Sequence, residues 1–379
     1  TGRGYIQISQ IDIETGKKLS ENEPLWYGTG GRYIEAPHMY KFNGYYYLLN
    51  AEGGTEYGHM VNYARSKNLK GPFEPCPANP VLTNRNLGGY QLQGAGHGDI
   101  VQATDGTWWF CHLAFRQIDK YMPFHHLGRE TCMEPVIWKD DWFYIGTPCC
   151  SLFDKQGYGE ALLEVELPFE HEFKQQNFNY HKTFQNLTTK NDWNYLRNPH
   201  EENYEFGTDF LKVKATNKTI KNLEDSPSWV GIRQCAFEEE ISCQVELSKS
   251  ETVSKGSTAE AGLSLFMDEN HHYDIFITKE GTDFYANSRI CVGQAESLKE
   301  KLKLDSNKAT FKILSNAYCY QLFLQTEKDL ILLSQADTRY LSSEVAGGFT
   351  GVYLGFYAVD SNSSAVATFT NLNVVHKEK

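Results

Sequence analysis

Met-Tyr-Lys-Phe-Asn-Gly-Tyr-Tyr-Tyr-Leu-Leu, residues 39–49, is two apolar and aromatic runs joined by Asn43-Gly44. Both turn residues tolerate the positive φ that a two-residue connection between twisted strands demands, so the stretch predicts a tight β-hairpin. The same scheme recurs at Ile100 to Leu113 around Asp105-Gly106 and at Pro135 to Ile145 around Asp140-Asp141. Each turn is followed by a ring cluster: Tyr45-Tyr46-Tyr47, Trp108-Trp109-Phe110 and Trp142-Phe143-Tyr144. Antiparallel hairpins repeated at intervals of a few tens of residues are the pattern of β-propeller blades, which hide most sheet edges by radial repetition. The alternation from Tyr5 to Ile13 places the start of the chain inside a strand meander. Too few blades are legible to close a ring, so the expectation for residues 1–155 is the C-terminal part of a propeller that lacks its N-terminal portion.

Beyond residue 155 the texture changes. The stretch from Ala161 to Pro199 is polar and irregular, and residues 156–206 are expected to be a linker and the start of a second domain. Short alternating segments return over residues 207–379: Ser228 to Cys235, Ile241 to Leu247, Ala261 to Met267, Tyr273 to Thr278, Ala309 to Ile313, Tyr318 to Gln325 and Val352 to Tyr357. Many short strands with polar turns predict a β-sandwich. Gly347-Gly348-Phe349-Thr350-Gly351 interrupts them with a glycine-rich loop carrying one ring, either a packing plug or a mobile lid.

The fold class is therefore all-β. A length of 379 residues suits two domains, and the 23 Tyr and 22 Phe supply the stiff side chains that pleated strands favour. Rings also stack on the C–H faces of sugars, although for most of these residues the core is the ordinary destination. A net charge of −12 with no Lys/Arg cluster excludes nucleic acid as a partner. No apolar run is long enough to span a membrane, and Thr1-Gly2-Arg3-Gly4-Tyr5 shows no signal-peptide core. The nine cysteines have no CxxC pair and no zinc spacing, which predicts mostly free thiols. Sequons at Asn186, Asn217 and Asn362 do not establish secretion, so cytoplasmic and extracellular settings both stay open.

Glu35 stands out chemically. It lies between Tyr33 and Pro37 just ahead of the first hairpin, where rings and a proline would strip its solvation and favour the protonated form needed by a general acid. A structural carboxylate in an ion pair or hydrogen-bonded turn is the alternative.

Several motifs in order give the chain a resemblance. Glu35-Ala36-Pro37-His38 with the Tyr45 to Leu49 strand, Ala51-Glu52-Gly53-Gly54-Thr55, Ala64-Arg65-Ser66 with Gly71-Pro72-Phe73, Gly96-His97-Gly98-Asp99, and Leu127-Gly128-Arg129-Glu130-Thr131 together resemble glycoside hydrolase family 43. The likeness is to its two-domain β-xylosidases, with a five-bladed propeller and a C-terminal, concanavalin-like β-sandwich. It implies an exo-acting, inverting β-xylosidase on xylo-oligosaccharides, with α-L-arabinofuranosidase activity as a neighbour and a non-catalytic carbohydrate-binding relative as the rival of another class. Glu35 would be the general acid, Arg129 the guanidinium holding the sugar, Thr55 a position near bound sugar, and Phe349 a ring lent by the sandwich to the pocket rim. His97 matches a histidine near the propeller axis where some members place calcium, an ion that otherwise prefers oxygen ligands. A hydrogen-bonded core histidine competes for that position. No cofactor is required by this chemistry, and members of this type are often homo-oligomers.

One departure matters. Inversion needs a base set roughly 6.5–9.5 Å from the acid so that a water fits between base and sugar. In the family the base and a second, pKa-tuning aspartate precede the acid by a long stretch, yet only 34 residues precede Glu35 here. Neither motif is found among them; Asp12 lies in an alternating strand, and Asp99 belongs to the His97 motif. The expectation is a fragment that requires a missing N-terminal propeller segment and is inactive alone.

Overall fold

The computed structural model describes residues 4–87, 89–148, 164–165, 181–187, 190–248, 258–299 and 301–377. Cys149, Cys150 and about half of the expected linker lie outside them; the described cysteines are free thiols. The chain divides into two units, Thr1–Pro123 with Arg129–Gln175, and Phe124–Gly128 with Gln176–Lys379. Among the described residues, no helix is long and apolar enough to cross a membrane.

The first unit is a partial propeller. Strands β1 (Ile6–Ile8) and β2 (Glu23–Trp26) pair with each other. One blade runs β3 (Glu35–Phe42), β4 (Tyr45–Glu52), β5 (Met60–Ser66) and β6 (Glu74–Pro75); the next runs β7 (Leu92–Gln102), β8 (Trp108–Arg116), β9 (Arg129–Lys139) and β10 (Trp142–Ile145). All three predicted turns form. Asn43 and Gly44 take φ of 50° and 79°, and Asp140 and Asp141 take 54° and 58°, so both connections use the left-handed region that short hairpin loops need. The N-terminal alternation is overturned beyond Ile8: the Asp12 carboxylate accepts the N–H groups of Glu14 and Thr15, and this local turn leaves Ile11 and Ile13 exposed.

Aromatic packing joins the two blades. The Tyr63 ring stacks on Phe143 with centroids 3.8 Å apart, and its hydroxyl donates to the Phe143 carbonyl at 2.8 Å while accepting the Phe143 N–H at 2.9 Å. Arg65 lies 3.6 Å over the Trp142 ring and donates to the carbonyls of Asp140 and Asp141. The Asp140-Asp141 turn is thereby fixed against the first blade.

The second unit is an antiparallel sandwich. One sheet orders Tyr204–Phe206, Phe210–Lys214, Val366–His376, Glu239–Leu247, Lys308–Ser315, Cys319–Gln325 and Leu330–Asp337. The other orders Asn194–Tyr195, Trp229–Arg233, Tyr353–Asp360, Ala259–Asp268, His271–Glu280, Asp283–Val292 and Ala295–Leu298. Glu239–Leu247 alternates buried and half-buried along its length, as a strand with one core face should. Ala259–Asp268 is buried on both faces, because Trp229, Phe266, Phe276 and Tyr357 cover the side turned away from the main core. Trp229 lies flat there: a Cβ on Gly355 would sit 2.1 Å from its indole nitrogen.

Beside that cluster runs a buried ionic row. Asp274, fully buried, is 2.9 Å from His272 Nδ1, accepts Arg289 Nε at 2.8 Å and accepts Ser264 Oγ at 2.7 Å; Arg289 also donates to Glu260 at 2.7 Å. Burial opposes both charges, but the partners outweigh it, so Asp274 is held below its ordinary value and His272 above. A raised histidine stabilises fully below its unfolded value near 6.5 and loses that contribution as pH climbs through the folded value. A lowered aspartate stabilises above 3.8 and loses its contribution as pH falls. His272→Gln should therefore flatten the alkaline fall in the sandwich's melting temperature and, because the His272 charge is the first partner holding Asp274 down, shrink the acid limb as well; an unchanged alkaline slope would remove His272 from this role.

Candidate active site

Glu35 opens β3 and pairs with Ala51 near the end of β4, with an irregular register before His38. Ala36 takes φ of 51°, a left-handed kink that sets Glu35 off from the regular strand. The expected burial is corrected here: Glu35 is exposed, so the Tyr33 and Pro37 neighbours do not strip its solvent in this chain. Proximity in sequence to a ring and a proline does not dictate which way they pack.

The loop entering Glu35 is seated on a buried carboxylate. Glu52, with no exposed surface, accepts the Thr29 N–H at 2.9 Å, the Thr29 hydroxyl at 3.1 Å and the Gly31 N–H at 2.8 Å. A Cβ on Gly28 or Gly31 would come within 2.5 or 2.6 Å of that carboxylate, so both positions need glycine. Arg32 closes the loop: its carbonyl accepts the Gly53 N–H at 2.7 Å, its side-chain Nε donates to the Gly53 carbonyl at 3.2 Å, and it pairs with Glu56 at 2.6 Å. Thr55, half-buried, follows β4 in this same turn, at the end of the blade where Glu35 starts.

A second group stands where β7 is distorted. Gly94 and His97 have φ of 64° and 46°, and the register shifts twice between Gln93 and Asp99. His59 accounts for this. Its buried ring donates from Nδ1 to the Gly94 carbonyl at 2.9 Å and fills the space where a Gly96 Cβ would lie, 2.5 Å from the ring. Burial first, then the charges of His97, Arg129 and His112, hold His59 below the ordinary imidazole value despite the Gly94 carbonyl, so it is neutral at pH 7. His97 is exposed, which disposes of the core-histidine alternative. Arg129 is half-buried at the head of β9, opposite Phe115. The charges of His97 and Arg129 are felt at His59, and Phe349 belongs to the sandwich unit, where it is 45% exposed.

Asp99 is exposed and engaged: Tyr40 donates its hydroxyl to the carboxylate, and His38 Nδ1 lies 3.3 Å from it. Burial, reinforced by that carboxylate, pushes the Tyr40 phenol well above its ordinary value and keeps it a donor. Among the described residues no group of three or more His, Cys, Asp or Glu is placed to hold a metal. His97 with Asp99 does not by itself supply the oxygen-rich set that calcium needs.

The chain's two halves each match a known family. Glycosyl hydrolases family 43 matches residues 1–143, and the β-xylosidase C-terminal concanavalin A-like domain matches residues 181–374. A solved structure, the Bacteroides ovatus xyloglucan-locus GH43B, is 32% identical with a TM-score of 0.80 over 99% of this chain and 72% of its own. The chain belongs to glycoside hydrolase family 43. Its curated relatives include the non-reducing end α-L-arabinofuranosidase BoGH43B of Bacteroides ovatus, 35% identical over 370 residues. That match takes in 94% of this chain and 65% of the relative, so the chain spans about two thirds of that protein's length. A xylosidase/arabinosidase of Butyrivibrio fibrisolvens is 28% identical, over 96% of this chain and 68% of its own. The Bacillus licheniformis BlXynB structure is 25% identical with a TM-score of 0.80, covering 98% of this chain and 71% of its own.

Glu52 and His59 were given no role by sequence reasoning. The signal for Glu52 was present: Gly28-Thr29-Gly30-Gly31 is rich in free backbone donors, the kind of loop that seats an anion. Glu52→Ala leaves the Thr29 and Gly31 N–H groups without their acceptor, which should cost about 1–3 kcal/mol. Amide exchange at Thr29 and Gly31 should quicken while the β7–β10 blade is unchanged; unaltered exchange at those two amides would show that the loop does not depend on Glu52.

Proposed function

We propose that this family 43 chain carries the acid half of an exo-acting, inverting glycosidase that releases a pentose from the non-reducing end of xylo-oligosaccharides. The observation that supports this most is the family 43 match over residues 1–143, within which Glu35 is a carboxyl at the irregular head of a blade strand whose entry loop is locked by Glu52. In this proposal Glu35 gives its proton to the glycosidic oxygen as the bond breaks. Arg129 and Thr55 hold sugar hydroxyls, Phe349 offers a ring face, and a base-activated water attacks from the opposite side. No residue of the 379 is assigned as that base, so the chain by itself is expected to turn over no glycoside. The sugar, and any assembly into homo-oligomers, belong to the whole protein.

A second reading is α-L-arabinofuranosidase activity. It is favoured by the match to an enzyme of that name over 94% of this chain. The two are separated by hydrolysis of 4-nitrophenyl β-xyloside and 4-nitrophenyl α-L-arabinofuranoside by the gene product that carries this chain. Binding of xylobiose with no turnover of either substrate would instead favour a carbohydrate-binding relative.

In that protein Glu35→Gln should lower turnover of xylobiose by about 10²–10⁴, the usual worth of a general acid, and affect an activated aryl glycoside far less. Equal losses on the two substrates would count against Glu35 as the acid. Phe349→Ala should raise KM with little change in kcat, and an unmoved KM would place the ring away from bound sugar.

A further inference from the structure

Five residues, Phe124–Gly128, are flanked on both sides by propeller sequence yet cluster with the sandwich. They form a strap across the two feet of the loop that carries Phe349. At the first foot, where helix α1 (Ser343–Ala346) starts, the His125 carbonyl accepts the Ser343 N–H at 3.1 Å. At the second, the His126 carbonyl accepts the Val352 N–H at 2.8 Å.

Side chains reinforce both attachments. Glu344 Oε2 accepts the His125 N–H at 3.0 Å, and Oε1 lies 2.6 Å from His125 Nδ1. Arg233 donates twice to the Leu127 carbonyl, at 3.2 and 2.6 Å. The buried His126 ring sits between Phe237 and Tyr320, at 5.2 and 5.8 Å, and anchors the middle of the strap in the sandwich. Gly128 and Gly351 meet backbone to backbone: a Cβ on Gly351 would lie 2.3 Å from the Leu127 carbonyl oxygen, and one on Gly128 would lie 2.5 Å from the Gly351 nitrogen. Between the feet, Gly347, Gly348, Phe349 and Thr350 are all exposed, and both glycines take positive φ.

A loop of this kind, with exposed glycines at its tip and no regular strand within it, orders its ring only as well as its feet are held. We propose that the strap is a clamp for the Phe349 loop, with His125 and Glu344 as positioning residues for that ring and Gly128 and Gly351 as the close-packed contact that admits the strap. This deepens the proposed role of Phe349 at the sugar and rests on it.

The test combines hydrogen exchange and kinetics on the gene product that carries this chain. Glu344→Ala should speed amide exchange at residues 345–351 by about ten- to hundredfold, the loss of charge-assisted hydrogen bonds, while Lys308–Ser315 and Val366–His376 stay protected. It should also raise KM for the preferred aryl glycoside more than it lowers kcat. Glu344→Gln, which keeps an acceptor for the His125 amide, should restore part of both effects. Gly351→Ala should reproduce them by pushing the strap away, with protected core strands showing that the sandwich still folds. Unchanged exchange at 345–351 in Glu344→Ala would overturn the clamp. Faster exchange with an unmoved KM would overturn the positioning role, and Phe349→Ala then identifies the fault: if it too leaves KM unmoved, the assignment of Phe349 to the sugar has failed, and if it raises KM, only the positioning role of His125 and Glu344 has.

Discussion

Tyr63 is the residue on which the first unit turns. Its ring stacks on Phe143, and its hydroxyl satisfies both backbone groups of that residue, so one side chain replaces the hydrogen bonds that two neighbouring blades cannot make through a shared ladder. β5 of one blade is thereby set against β10 of the next. With β5 fixed, His59, just ahead of it, is held against Gly96, and the Gly94 carbonyl accepts the N–H of its ring. The distorted course of β7, with His97 and Asp99 on it, follows from that contact.

Polar burial plays two different parts at one end of the first blade, where Glu52 pairs with Met60 beside His59. Glu52 is a charge taken fully out of water, which is tolerated because the loop it seats turns several donors onto it. The result is an entry to Glu35 that depends on a carboxylate and on glycines small enough to approach it. His59 is the complementary case, a polar ring kept neutral by burial and used for its shape and one N–H. Neither residue carries the proposed chemistry, and both define the backbone from which it projects.

In the sandwich, specificity of packing comes from paired charges and from glycine. The row from Glu260 through Arg289 and Asp274 to His272 lies on the sheet face that also bears Trp229, so that face is closed to solvent by a mixture of rings and matched ions. Breaking such a row leaves a stranded buried charge, which costs far more than the intact row contributes. Gly355 beneath Trp229 and Gly351 against the strap serve the same purpose, since each removes a side chain where another group must come within contact distance.

The hairpins, the all-β class and the two-part organisation were legible in the sequence because turn chemistry and alternation are local: Asn43-Gly44 permits one tight connection whatever surrounds it. The order of the family's motifs singled out Glu35, Thr55, His97, Arg129 and Phe349 as well. Where alternation met a competing local bond, as at Asp12, the sequence pattern misled, because a carboxylate capping two nearby amides outweighs a weak strand preference. The exposure of Glu35, the seating of its loop on Glu52, the neutral His59 under Gly96 and the strap from His125 to Gly128 were decided by tertiary structure alone. Each joins residues far apart in the chain, from about 20 positions between Thr29 and Glu52 to more than 200 between His125 and Glu344, and no spacing rule reaches across such distances. The sequence by itself determined which local elements and chemical groups this protein has; only the packed chain determined which of those groups face solvent, which are clamped and which hold the others in place.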